Sequence, residues 1–263
     1  MTSLATAASP TAALDPTTRR TAGARNRDRW FFTIAAAAAF AIVFGGFART
    51  YYLKSLFSTP ALAWLLHLHG ALMTSWFVLY FVQTSLIAAH RVRVHRRLGI
   101  AGAVLAGLIV IVGAAVALHA TRRDLHAPTN GGPPPLQALG FFFAVLLVFA
   151  ILVGTALLLR RRRDWHKRLM LLSCVILSGP GLARITFERA PALAFLRGGG
   201  PGGLLDLVML LVYACIAWDT WRNRRLHPAF VCGALLIAAV DLPFIWLLLS
   251  TPTWVHVATR LVS

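Results

Sequence analysis

The chain consists of seven apolar stretches, each near the roughly 20 residues that a helix needs to cross the hydrocarbon core of a bilayer. They run from Trp30 to Phe47, Ala61 to Ala89, Leu98 to Ala120, Leu136 to Leu159, Leu169 to about Phe187, Leu204 to Trp218, and Pro228 to Leu249. Lipid offers no hydrogen bonds, so each span has to satisfy its own backbone as a helix. The expected fold is therefore all-α: a polytopic membrane bundle of seven transmembrane helices over residues 30–263. Small residues such as Gly102, Gly107 and Gly113 are expected at the helix contacts. Two spans are irregular. The fifth carries Gly179-Pro180-Gly181, which predicts a kink or a break in its hydrogen bonding. The sixth is short, with Asp206 near its start.

Composition agrees with a lipid solvent. Of the residues 58% are hydrophobic and 13% charged, against about 25% charged in a soluble domain. The formal net charge of +18 would suit nucleic acid, but the cations fall in short runs between apolar stretches. Positive cytoplasmic loops explain that pattern, and no nucleic-acid partner is expected. With the N-terminus in the cytoplasm, 18 of the 26 Lys and Arg lie inside: five in the tail, four before the third span, six before the fifth and three before the seventh. The C-terminus is then outside. The Ala/Arg/Gly-rich character points to a bacterial cytoplasmic membrane, with the lipid bilayer and other membrane subunits as partners.

Residues 1–29 are rich in Ala, Thr, Pro and Arg and lack apolar periodicity, so a disordered basic cytoplasmic tail is expected there. Two turn-rich runs, Asn130 to Pro135 and Gly198 to Gly203, separate hairpins rather than domains. The three cysteines lie in apolar segments without metal-ligand spacing, and no metal site is expected. A repeat is visible: His95-Arg96-Arg97-Leu98 opens the third span and His166-Lys167-Arg168-Leu169 the fifth. Basic loops resemble one another by necessity, which is the plainer account of it.

Ionisable side chains inside lipid are costly, so they mark functional candidates. His69 lies about 12 Å into the second span and Asp241 about 13 Å from the outer end of the seventh. Arg184, Glu188 and His119 fall near the same outer end, and Arg184 is the natural partner for Asp241. Arg184 and Glu188 read equally as a surface i,i+4 pair. Positions 69, 76, 80 and 83 are His, Trp, Tyr and Gln, one helical face, which is expected to point inward. His67 points the other way. On the cytoplasmic side stand His90, His95, His166 and His227, each beside arginines. Their plain reading is a basic surface facing lipid headgroups. Their functional reading is haem b held by two histidines at matching depth: His95 with His166 inside, or His69 with His119 outside. No C-x-x-C-H, P-loop, H-E-x-x-H or G-x-S-x-G occurs.

His67 to Gln83 (HLHGALMTSWFVLYFVQ) and Trp165 to Arg184 (WHKRLMLLSCVILSGPGLAR) resemble bacterial multi-helix integral membrane protein families of unassigned activity. A histidine-led span and an H-[KR]-R-L-M span recur in them. The resemblance implies a membrane fold and, through relatives tied to respiratory oxidase assembly, a respiratory or haem-linked role. It points to His67, His69, His166, Met170 and Arg184. Three functions follow as expectations: a redox or haem-associated membrane protein; a proton-coupled transporter with Asp241, Arg184 and His69 lining a cavity; or a non-catalytic assembly factor.

Overall fold

The computed structural model describes residues 16–126, 134–189, 203–240 and 243–263, and side chains within 30–126, 134–186, 207–240, 245 and 247–263. Every regular element among them is helical. The order is α1 (Pro16–Phe47), α2 (Trp64–Ala88), α3 (Val92–His126), α4 (Pro135–Leu158), α5 (Arg163–Arg189), α6 (Gly203–Asn223), α7 (Pro228–Ala239), α8 (Pro243–Leu249) and α9 (Pro252–Val262). A π-helical turn, Ala48–Tyr52, extends α1. Five helices are long and apolar enough to cross a membrane: Trp30–Tyr52, α2, α3, α4 and Arg163–Thr186 of α5. This is the architecture of a multi-pass membrane protein.

Side-chain contacts fix which helix ends lie together. At one end Phe31 stacks on Trp218 with ring centres 5.6 Å apart. Lys167 lies 5.2 Å over the Phe32 ring, and Trp165 meets His227. At the other end Arg184 lies 4.3 Å over Phe47, and the Trp254 indole N–H donates to the Leu136 carbonyl at 2.9 Å. The helices from α1 to α7 thus run alternately up and down. The arginine-rich turns before α3, α5 and α7 share one end, called here the basic end.

Helix α5 is the hub and packs on α1, α4, α6 and α7. From Leu171 to Gly179 every residue is buried, as expected of a helix that is apolar all round. Its Gly-Pro-Gly does not end it, and Pro180 lies inside the helix. The motif serves packing: Gly181 lies against Val43 and Ile42, and a Cβ on Gly46 would land on the Gly181 backbone. Small residues let α1 and α5 touch backbone to backbone there. Gly113 and Gly102 make similar room for Leu146 and Leu79, whereas a Cβ on Gly107 meets nothing within 4 Å.

Three boundaries differ from the sequence reading. α1 begins at Pro16, inside the expected disordered tail. α3 takes in Arg93, Arg96 and Arg97 at its start and continues to His126, since long basic side chains carry a helix past the apolar core at either end. The seventh span is not one helix. α7 stops at Ala239 after 12 residues, about 18 Å, and a new helix begins at Pro243, where proline suits a first turn and not an interior. α9, capped by the Thr251 hydroxyl, follows. It is pinned by Arg122, whose Nε donates to the Val262 carbonyl at 2.7 Å.

Candidate functional site

The basic end gathers most of the described polar chemistry. His95 in the first turn of α3 and His166 in the first turn of α5 face each other across the bundle. Their ring centres are 6.4 Å apart and the planes cross at 81°. Both side chains are half-buried. His166 is oriented by its Nδ1, 2.8 Å from the Ala156 carbonyl. A carbonyl accepts only, so Nδ1 carries the proton and Nε2 presents a lone pair. His95 is held by Gln83 of α2. With the amide oriented to satisfy its surroundings, its nitrogen donates to His95 Nδ1 at 2.7 Å and its oxygen accepts from the Gly99 N–H at 3.1 Å. The neutral His95 ring then carries its proton on Nε2; the opposite amide orientation frees Nε2. Gln83 therefore sets which nitrogen of His95 is available.

An open groove of about 420 Å³ between α2 and α3 is lined by Val78, Leu79, Val82, Leu98, Ala101 and Leu105, with Ser75. Exposed arginines, among them Arg96, Arg97 and Arg160 to Arg163, ring the basic end.

Beside this pair lies a second polar cluster that the sequence reading missed. Arg168 and Asp219 are 3% and 2% exposed and form a two-pronged ion pair. Arg168 Nη2 donates to Asp219 Oδ1 at 2.7 Å and to Oδ2 at 2.9 Å, and Nε donates to Oδ2 at 3.1 Å. Nη1 donates to the Asp164 carbonyl at 3.0 Å, and the Asn223 amide donates to Asp219 Oδ1 at 3.0 Å. The guanidinium also lies 5.8 Å from the Phe230 ring. One buried cation thus joins α5, α6 and α7. Its partner was legible only as a carboxylate one residue past the sixth apolar stretch, which was read as ending at Trp218. Arg97, the repeat counterpart of Arg168, is exposed, so the repeat extends to the histidines but not to this arginine.

The remaining basic-end histidines serve the backbone. His227 Nδ1 accepts from the Ala229 N–H at 3.1 Å and caps α7. Burial lowers its pKa, and the Arg168 charge lowers it further. His90 takes a left-handed φ of 61° at the turn between α2 and α3.

At the opposite end stand His67, His69, His119 and Arg184. His119 and His67 are exposed, and His69 is half-buried. His119 stands 27 residues into α3 and His69 19 residues before the end of α2. Counted along the two helices from the turn that joins them, that is a difference of about 12 Å. Arg184 lies on Phe47 and donates to the Pro180 carbonyl at 3.4 Å. Asp241 and the Glu188 side chain fall outside the described residues. Tyr51 instead dominates the region: its hydroxyl donates to the His67 carbonyl at 3.1 Å, and its ring fills the space that Gly70 leaves. The inward face of α2 carries Trp76 and Tyr80, 2% and 6% exposed. Among the described residues no group of three His, Cys, Asp or Glu side chains is placed to hold a bare metal ion.

Fold and site together define a multi-pass α-helical membrane protein with an imidazole pair at its basic end. No protein-family model, no curated protein and no solved structure matches the chain.

Proposed function

We propose that the protein crosses the cytoplasmic membrane seven times, with its N-terminus in the cytoplasm and its C-terminus outside, and binds haem b at the cytoplasmic end. His95 and His166 would hold its iron, and the role would be electron handling in or beside the respiratory chain. The pairing of those two rings carries the reading. Two imidazoles are a donor set that could hold haem iron, and these two lie with ring centres 6.4 Å apart and planes crossing at 81°.

The donor set fits as well. The Nδ1 bond of His166 to a main-chain carbonyl is the outer-shell support typical of a ligating histidine. His95 would bind through Nε2 as its other neutral tautomer, the proton moving from Nε2 to Nδ1 and Gln83 turning its oxygen to accept it, with no net loss of a proton from the ring. The arginine rim supplies cations for two propionates. When bound, haem supplies a one-electron couple tuned by its axial ligands and their hydrogen bonds. The seven crossings rest on α6 and the paired α7 and α8 joining the five long spans, and the orientation rests on the arginine-rich end facing the cytoplasm.

The test is haem binding to purified protein, comparing wild type with His95→Ala, His166→Ala and His119→Ala. Loss of the Soret band in the first two and retention in the third is expected. Equal haem content in all four contradicts the assignment.

A further inference from the structure

Five buried side-chain polar atoms among the described residues have no hydrogen-bond partner, and three of them lie on α2: His69 Nδ1, Trp76 Nε1 and the Tyr80 hydroxyl. These positions share one helical face. The polar neighbour of the Trp76 indole is the weakly accepting Cys174 sulfur. Gln83 continues the face and ends on His95. The row from position 69 to 83 covers about 21 Å, most of a hydrocarbon core of roughly 30 Å. A buried donor or acceptor left unpaired costs roughly 1–3 kcal/mol, and natural interiors meet that cost with bound water. Three such atoms on one face, leading to a fourth polar group that holds an imidazole, do not read as separate defects.

We infer that this face of α2 lines a hydrated proton path from His69, near the outer end, to the His95–His166 pair. The residue types suit that task. The Tyr80 hydroxyl and a neutral imidazole each donate and accept, so each passes a proton on without holding charge. The Trp76 indole only donates, so it anchors a water rather than relaying through itself. Gln83 joins the last water to His95, whose ring centre lies 6.4 Å from that of His166. The path carries protons alone and needs only this chain's residues, so it stands or falls separately from haem binding.

The experiment is hydroxyl-radical footprinting of the intact apo-protein in lipid nanodiscs, paired with proton flux in vesicles holding a pH-sensitive dye under a potassium–valinomycin potential. Radicals generated from bound water oxidise buried side chains that touch it. The expected result is oxidation of Trp76 and Tyr80 well above the equally buried Phe77 and Phe149, and less oxidation of Trp76 in Tyr80→Phe. Flux above protein-free vesicles is expected, several-fold slower in Tyr80→Phe and in His69→Ala, each checked for monodispersity and helicity. Trp76 and Tyr80 as inert as the phenylalanines, or flux that is absent or indifferent to both substitutions, overturns the inference.

Discussion

Arg168 shows how a single side chain organises the basic end. It and Asp219 are buried, and each satisfies the other at 2.7 Å. Removing one partner strands a charge in a low-dielectric interior, at about 3–5 kcal/mol, while replacing both with apolar side chains of similar volume is often neutral. Arg168→Ala is therefore expected to lower thermal stability in detergent sharply, and Arg168→Met with Asp219→Leu to recover most of the loss. A double variant no better than the single one would show that the pair does more than compensate its own burial. Gln83 acts on a finer scale. Gln83→Leu keeps both imidazoles but removes the group that sets the His95 tautomer. Outer-shell losses of this kind lower metal affinity by about 10–100-fold, and a haem titration reads that directly. At this scale the sequence was uneven. The His95–His166 pair was legible because both open spans at the same basic end. The Arg168–Asp219 pair was not, because its members are 51 residues apart and only packing brings them together.

At the level of elements, α1 and α5 meet backbone to backbone. A side chain on Gly46 would strike the Gly181 backbone, whereas one on Gly107 meets open space. Gly46→Val is expected to cost about 1–3 kcal/mol or more through overpacking. Gly107→Ala is expected to be tolerated, and melting curves of the two variants in one detergent separate the cases. The Gly-Pro-Gly motif was legible as an irregularity but misleading as a break, since the same residues also permit close helix contact. Pro243 was the reverse: hydropathy ran on through it while the helix did not. His227 makes α7 sensitive to acid. Its folded-state pKa lies below the ordinary imidazole value because of burial and then Arg168. The folded chain therefore binds that proton less readily than the unfolded one, and the cap's contribution is present above the unfolded pKa and lost as pH falls. Between about pH 7.5 and 5 the melting temperature of wild type is expected to fall further than that of His227→Asn, which caps without titrating.

Across the whole molecule, alternating helices and a one-sided arginine distribution were readable from hydropathy and charge alone. Five of the spans appear as long apolar helices, with α3 running beyond its expected limits at both ends. The imidazole pair lies at the arginine-rich end of the bundle. This account stands most directly on the absorption spectrum of the protein purified in mild detergent from haem-supplied cells, recorded oxidised and then reduced with dithionite. It predicts a Soret band that shifts on reduction and is lost in His95→Ala and His166→Ala. A colourless wild-type protein, or a Soret band that survives removal of both histidines, would contradict it.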